Sequence, residues 1–450
     1  MKTPICDFVK DYWQSDGVRL HMPGHKGQPL LGFEGYDITE FDGADVLYHA
    51  DGIIAQSQQN ATKLFGSKKT VYSTEGASLA IRGLLFLIKQ YAAAQGETSL
   101  ILAGRNAHKT FVTAAALLDL SVTWLYSETP DSLVSCTITP RRLEQVLSGM
   151  AEKPTAVYIT SPDYLGNLAE IAGLAEVCNR HGVLLCVDNA HGAYLRFFNP
   201  SAHPLDAGAH LCCDSAHKTL PTLTGGAYLH IGQSAPDFFC EQVETALSTF
   251  ATTSPSYLIL QSLDATNRYL ADGFREELEA CCERVREVKL RLQNKGYGLV
   301  GDEPIKITLA PKSFGYTGDE LSDYLLRHRV MCEFHDPDTV VFMVTPQTPD
   351  EHLKRVTDLL CALPQKPPLS QRAPQLQQPK VALSMHKALF APGEVVPTRQ
   401  SVGRILSAPT VSCPPAVPVA VCGEVINQSV AEVMEYYGHT TLRVIKNETE

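Results

Sequence analysis

Between about residues 70 and 230, short apolar runs alternate with helical segments, and this alternation restricts the fold more than any other feature of the chain. Residues 99–103, 122–126, 155–160 and 183–187 read as strands. Residues 79–90, 106–118, 140–150 and 169–180 read as helices. Two helix ends carry local signals: Thr139-Pro140 is a cap followed by proline at the first helical position, and His181-Gly182 is a C-terminal stop. Apolar strands separated by helices of about 10–15 residues are βαβ units, which build a mostly parallel, buried sheet. The fold class is therefore α/β, with helices on both faces of a central sheet.

Outside that stretch the pattern changes. Residues 1–60 read as an irregular arm rich in Gly, Asp and His, and residues 256–294 as one long helical stretch with a break near Gly273. A smaller α/β unit follows, with strands at 305–309 and 340–344 and helices at 317–329 and 350–363. Residues 364–379 form a Pro/Gln-rich linker. The tail contains an apolar stretch at 417–426 and a last helix near 429–437. The expected division is an N-terminal arm (1–60), a major domain (61–295), a small α/β domain (296–363), the linker, and a C-terminal module (380–450) packed with the small domain. No internal repeat is visible.

A chain of 450 residues with 44% hydrophobic and 19% charged residues can bury a sizeable core in two or three domains. The formal net charge of −11 disfavours nucleic acid and anionic membranes as partners. An acidic field also favours a cationic ligand, although net charge is a weak guide to ligands. The 13 cysteines lie in apolar runs and form no Cys-x-x-Cys, so they read as free thiols in a reducing cytoplasm. The first residues have no apolar signal-peptide core, and no apolar run reaches the roughly 20 residues of a membrane span.

Chemistry concentrates at two points. Lys218 lies in Asp214-Ser215-Ala216-His217-Lys218-Thr219, thirty residues after Asp188 in Val187-Asp188-Asn189-Ala190-His191-Gly192. A lysine behind a short Ser/His cluster is a way to hold pyridoxal phosphate (PLP) as a Schiff base, and cationic or apolar surroundings ease its deprotonation. On their own the alternatives are a surface lysine and a helix-capping aspartate. Yet Asp188 falls at the C-terminal edge of an apolar strand, where α/β folds bind ligands and a carboxylate can pair with a protonated pyridine nitrogen. Ser215 and His217 lie within one turn of the lysine and can donate to a phosphate.

Gly76-Ala77-Ser78 opens a strongly helical run, and a helix N-terminus of small residues suits an anion. An ordinary cap would look the same. His108, in Arg105-Asn106-Ala107-His108-Lys109, is the best aromatic partner for a ring, although a lone histidine is more often structural. His21 and His25 have no carboxylate or cysteine cluster beside them, so no metal site is expected.

Together these segments resemble the PLP-dependent, fold-type-I Orn/Lys/Arg decarboxylases. The matches are His21-Met-Pro-Gly-His-Lys-Gly27, Arg105-Asn-Ala-His-Lys109, Asp188-Asn-Ala-His-Gly-Ala-Tyr194, Asp214-Ser-Ala-His-Lys-Thr-Leu220 and Ser254-Pro-Ser-Tyr257, in the order that family has them. They cover about residues 20–260. The tail element Cys413-Pro-Pro-Ala-Val-Pro418 with Gly423-Glu424 is similar to the family's Tyr-Pro-Pro-Gly-Ile-Pro and Pro-Gly-Glu, but departs from it at Cys413, Ala416 and Cys422. The resemblance makes Lys218 the Schiff-base lysine and Asp188 the pyridine-nitrogen partner. It puts His108 on one face of the ring and Ala190 on the other, with His191 also at the cofactor. Ser215, His217 and the Gly76-Ala77-Ser78 turn would hold the phosphate. Thr253 or Ser254 would reach a neighbouring subunit's cofactor in a homodimer or higher homo-oligomer. The extra N-terminal regulatory domain of long members has no counterpart here, so their ring assemblies are not implied.

The expected activity is decarboxylation of a basic amino acid, arginine or lysine before ornithine, to the amine and CO2. An aminotransferase or another lyase of the same fold is the first alternative, with Arg404 the one obvious carboxylate clamp; a catalytically inactive regulatory homologue is the second. A cationic substrate needs a carboxylate. Glu424 is the first choice, followed by Asp45 and Asp51; the competing reading has Glu424 paired with a nearby arginine.

Overall fold

The computed structural model describes residues 1–128, 135–412 and 418–447. Strands β1 (Lys69–Ser73), β2 (Leu100–Gly104), β3 (Ser121–Leu125), β4 (Ala156–Thr160), β5 (Leu184–Asp188), β6 (Leu211–Asp214) and β7 (Ala227–Ile231) form a sheet in the order β1-β7-β6-β5-β4-β2-β3. The sheet is mostly parallel, as in β2/β3 and β5/β6, but β7 runs antiparallel to both β6 and β1. Interleaved along the chain are helices α1 (Pro4–Gln14), α2 (Ile53–Phe65), α3 (Gly76–Ala94), α4 (Lys109–Leu117), α5 (Pro140–Gly149), α6 (Ile171–His181), α7 (Ala216–Thr219), α8 (Asp237–Ser248), α9 (Tyr257–Leu270) and α10 (Phe274–Lys295). The reversal at β7 has a local cause. The connection from Ser215 to Gly226 holds only the four-residue α7, too little helix to carry the chain across the face of the sheet, and the chain doubles back beside β6.

The residues gather into two compact units: Met1–Thr98, Thr155–Val157 and Ile171–Glu277 in the first; Ser99–Pro154, Tyr158–Glu170 and Leu278–Glu450 in the second. In the first unit, β5, β6 and β7 are buried along their whole length, as is β1 after Lys69. Helix α3 has the length and apolar composition of a membrane span, yet Leu79, Leu84 and Leu87 are fully buried against the protein. It is a core helix.

The arm at 1–60 is less irregular than its composition implies. Helix α1 occupies Pro4–Gln14, and α2 begins at Ile53. Eleven residues are too few to sustain a helix alone. Ile5 and Val9, one turn apart, are fully buried. The Asp264 carboxylate of α9 accepts the Ile5 and Cys6 amides at 3.0 Å and the Ser57 hydroxyl at 2.6 Å. That cap comes from 259 residues away, so no local signal announces it. The long helical stretch near 256–294 is two helices, parted at Gly273 with φ +79°.

In the second unit, β8 (Gly298–Val300), β9 (Lys306–Ala310), β10 (Phe334–His335) and β11 (Val340–Met343) form an antiparallel sheet in the order β10-β11-β9-β8. Helix α11 (Gly318–Arg327) opens with a capping box between Thr317 and Glu320, and α12 (Asp350–Ala362) follows. Helix α13 (Met385–Phe390), strands β12 (Gly393–Pro397), β13 (Thr410–Ser412) and β14 (Pro418–Val421), helix α14 (Gln428–Tyr436) and β15 (Thr441–Ile445) complete the chain. Leu406, Val419, Ile426, Val430 and Val444 pack in one core with Phe334 and Val341.

The turn between β10 and β11 holds a titrating group. Asp336 is buried; its Oδ1 accepts the Asp338 and Thr339 amides and the Thr339 hydroxyl, while Oδ2 has no partner among the described residues. Burial pushes this carboxyl up to about 6, against the pull of those hydrogen bonds. A raised pKa stabilises the fold fully below the unfolded value near 4, and that contribution is lost as pH rises through about 6. The loss amounts to about 3 kcal/mol. Urea melts should therefore show Asp336→Asn gaining on wild type by up to that amount between about pH 4 and pH 7.5. A difference between the two proteins that is the same at both pH values would refute the assignment.

Candidate functional site

Strands β5 and β6 are parallel neighbours with Asp188 opposite Cys213, so their C-terminal ends lie side by side. Asp188 ends the first strand and is buried. Its Oδ1 accepts the Ala190 amide at 3.2 Å and the Cys213 thiol at 3.8 Å. Burial, reinforced by the Asp188 and Asp214 charges, holds the Cys213 thiol well above its usual pKa. It stays protonated and acts as a donor.

The second strand ends at Asp214 and turns directly into α7, which carries Lys218. Lys218 Nζ lies 3.1 Å from His191 Nε2, and His191 is itself buried. The lysine and the Asp188-Asn189-Ala190-His191 segment, far apart in sequence, thus meet at the ends of two adjacent strands. This is where open α/β sheets bind ligands.

Beside them is an anion cradle. Gly76 begins α3 with φ +70°, and the residue before it, Glu75, makes no side-chain cap. The Gly76 amide bonds to Gly225 O at 2.7 Å, and Ala77 and Ser78 follow it in the first turn, at the positive end of the helix dipole. A Cβ on Gly76 would lie 3.9 Å from His217 Cε1, so ring and turn are neighbours. His217 donates through Nδ1 to Gly226 O at 3.0 Å; donating to an anion as well requires a second proton, on Nε2. Ser215, in the same turn, is buried. The Thr252 amide donates to Glu75 Oε1 at 2.8 Å, and the Ser254 amide to Thr252 Oγ1 at 3.1 Å, so the 252–254 loop runs beside this helix start. An amine, a buried carboxylate and a helix N-terminus with a histidine are the donor set PLP requires, and these residues fit it.

His108 and Glu424 belong to the second unit. His108 caps α4, its Nδ1 accepting the Thr110 amide at 3.2 Å with the Thr110 hydroxyl at 3.0 Å, which fixes the ring's orientation. Glu424 is almost wholly buried, and its two oxygens accept from the Arg105 guanidinium at 2.8 Å each, with the Val421 amide also at 2.8 Å. Arg105 further donates to the Pro418 and Val419 carbonyls and lies over Trp124. Burial opposes the Arg105 charge, but the Glu424 hydrogen bonds and charge prevail and raise its pKa. The pairing with an arginine is thus the arrangement present, and both Glu424 oxygens are committed to Arg105 and the Val421 amide instead of a substrate cation. Asp45 is likewise engaged, accepting amides at the start of α2, including Gly52 and Ile54 at 2.9 Å. Arg404 bonds to Glu394 and to the Ile445 carbonyl, both at 2.7 Å. Cys422 is buried, while Cys413 and Ala416 lie outside the described residues.

Sequence reasoning missed one cluster. His203 and His230 both bond to Asp214, and all three are fully buried. The two histidines come from a loop and from β7, and no spacing in the sequence relates them to Asp214.

The Arg105–Glu424 pair has a measurable consequence. Removing one partner of a buried ion pair leaves an uncompensated charge and costs about 3–5 kcal/mol, whereas an apolar replacement of both costs far less. Glu424→Gln should lower stability by that amount in denaturant melts, and Arg105→Met with Glu424→Met should recover most of it. A Glu424→Gln midpoint equal to wild type would show that the pair carries no such energy.

Comparisons with known proteins agree with the geometry. Residues 3–305 match the Orn/Lys/Arg decarboxylase major domain. Arginine decarboxylases of Halalkalibacterium halodurans and Bacillus subtilis are each 27% identical over 95% of this chain and 92% of their own length. Among solved structures, lysine decarboxylase A of Pseudomonas aeruginosa superposes with a TM-score of 0.81 at 15% identity, covering 98% of this chain and 80% of that one. The Francisella novicida lysine decarboxylase gives 0.79 at 17%, covering 99% and 81%. The family match spans well over half of the residues, and the fold and strand-end site agree with it: the chain belongs to the Orn/Lys/Arg decarboxylase family of PLP-dependent, fold-type-I enzymes.

Proposed function

We propose that this chain decarboxylates a basic amino acid, arginine or lysine before ornithine, with PLP held on Lys218. The observation that carries the site assignment is the meeting of the half-buried Lys218 with the buried His191, beside the Asp188 strand end. The substrate class rests on the family and on relatives named arginine decarboxylase that align over nearly the whole chain.

When bound, PLP supplies an electron sink for the pair left behind by the departing carboxylate. The chain's own groups do the rest. His191 Nε2 is within hydrogen-bond reach of the Lys218 amine, so a proton can pass between them without water. Asp188 is buried, and its carboxylate is the partner for a protonated pyridine nitrogen, its charge strongest where water is excluded. The Cys213 thiol and Ala190 amide fix the Asp188 carboxylate's orientation. The α3 N-terminus, Ser215 and His217 would hold the phosphate. His108, whose ring Thr110 orients, is the residue that the family resemblance would assign as the ring's imidazole partner. Decarboxylation of this kind releases an amine and CO2 and needs no metal.

The working form we propose is at least a homodimer in the cytoplasm. The N-terminal arm leaves Leu20 89%, Leu30 87% and Leu31 72% exposed, an apolar surface that a second copy of the chain would cover.

Two measurements test the reading. An amino-acid panel with amine and CO2 detection should show arginine or lysine turned over, and borohydride should fix PLP on Lys218 in peptide mapping. A reduced adduct on Lys109, or turnover confined to acidic or aromatic amino acids, would overturn it. Analytical ultracentrifugation at assay concentration should show a dimer or larger, and Leu30→Ser with Leu31→Ser should weaken it. An active monomer would sink the assembly proposal.

A further inference from the structure

We propose that Asp214 is a positioning residue for the cofactor pocket: a buried carboxylate that accepts hydrogen bonds from His203, His230 and Asn189, and so locks the Asp188 segment to the end of β6, from which the helix carrying Lys218 departs. The inference rests on the reading that Asp188 and Lys218 hold PLP.

Asp214 and Asn189 have no solvent exposure at all. Asn189, the residue between Asp188 and Ala190, donates its side-chain amide to Asp214 Oδ1 at 2.7 Å. The Cys212 thiol reaches the same oxygen at 3.6 Å. Oδ2 faces two imidazoles, His203 Nε2 at 3.0 Å and His230 Nε2 at 3.2 Å. The direction of these bonds follows from the far side of each ring. His203 Nδ1 accepts the Leu205 amide at 3.3 Å, so its proton is on Nε2, facing the carboxylate. His230 Nδ1 lies 2.8 Å from the Thr70 hydroxyl, which has the Ser67 hydroxyl behind it at 2.6 Å. Burial lowers the pKa of His230, favouring a neutral ring that donates from Nε2. Burial alone would raise the Asp214 carboxyl; the two histidines reverse this and hold it below the usual carboxylate range.

The donor atoms of His203, His230 and Asp214 are close enough together to hold a metal. The far side of His203 argues for hydrogen bonds instead. A metal on Nε2 places the ring proton on Nδ1, where it should donate to an acceptor. Here Nδ1 meets another donor, the Leu205 amide.

What this cluster connects gives it a role beyond filling the core. Through side chains alone Asp214 joins β1 (Thr70, by way of His230), β7 (His230), its own strand β6, and the residue that follows β5 (Asn189). The Asn189 main chain is already tied to β6 by its amide on Cys213 O at 2.9 Å. The side-chain bond is a second tie at the same point, and two ties remove the rotation that one would leave. Asp188 and Ala190 flank that point, and Lys218 follows Asp214 by one helical turn. A displacement of about 1 Å in such a group can cost about 10²-fold in rate.

The test compares wild type with Asn189→Ala, which removes only the link, and Asp214→Asn, which disturbs the whole cluster. The readouts are PLP uptake, melting temperature, kcat and KM, and the pH midpoint of the visible absorbance of the Lys218-bound cofactor. Asn189→Ala should still take up PLP on Lys218, with a lowered melting temperature because the buried Asp214 carboxylate loses one of its donors. Its kcat should fall by at least about tenfold with KM little changed. Its pH midpoint should move up, because a less firmly held pyridinium withdraws less from the lysine nitrogen. Asp214→Asn should shift the midpoint in the same direction if it folds; Asn189→Ala is the deciding variant. Wild-type kcat and midpoint in Asn189→Ala would overturn this inference alone, whatever its melting temperature. Stoichiometric zinc in purified wild type would also overturn it. PLP trapped on a different lysine in wild type would overturn the functional reading and this inference with it.

Discussion

A carboxylate with no access to water survives only if protein donors replace its hydration, and Asp214 is where this chain depends most on that condition. Its donors come from the residue after β5, from β6 itself, from β7 and from the loop holding His203. A partly satisfied network in such a place would be worse than an apolar core. Buried acids recur wherever distant segments must be joined. Asp264 caps α1 from far along the chain, and Glu424 clamps Arg105 in the second unit. In each case a single side chain gathers donors that the sequence scatters over tens to hundreds of residues.

The corner that joins Asp188 and Lys218 follows from parallel pairing. Asp188 and Lys218 are thirty residues apart, and the connection between β5 and β6 brings the chain back so that both strands end on the same edge. The antiparallel β7 then places Gly225 and Gly226 where they accept from the Gly76 amide and His217. An amine, a carboxylate and an anion cradle thereby share one rim without any of them being close in sequence. The paired thiols below that rim, Cys212 and Cys213, are held protonated by burial and by the two aspartates, so they serve as weak donors and not as nucleophiles.

Much of this was legible from the residues. The strand–helix alternation announced the α/β sheet, because a buried parallel strand must be apolar on both faces and must be followed by a crossover. Gly273 marked the break between α9 and α10, where φ is positive. Thr317 and Glu320 marked the start of α11 through a box that is local by construction. Other features were not legible. Helix α1 is too short to be predicted from its own propensity and depends on a cap from Asp264. The direction of β7 depends on the length and course of the turn after α7. Nothing in Cys413-Pro-Pro-Ala-Val-Pro418 and Gly423-Glu424 distinguishes a carboxylate that faces a substrate from one that clamps Arg105.

The sequence by itself determined the fold class, the identity of the Lys218 and Asp188 segments and the family resemblance, because each is written in residues close together along the chain or in their order. Only the tertiary structure decided the fate of the charges. Glu424 was committed to Arg105, Asp45 to the amides at the start of α2, and Asp214 to two histidines and Asn189. The physical reason is that a buried charge is governed by what surrounds it in three dimensions. Its partners are chosen by distance and desolvation, and neither quantity can be read along one dimension.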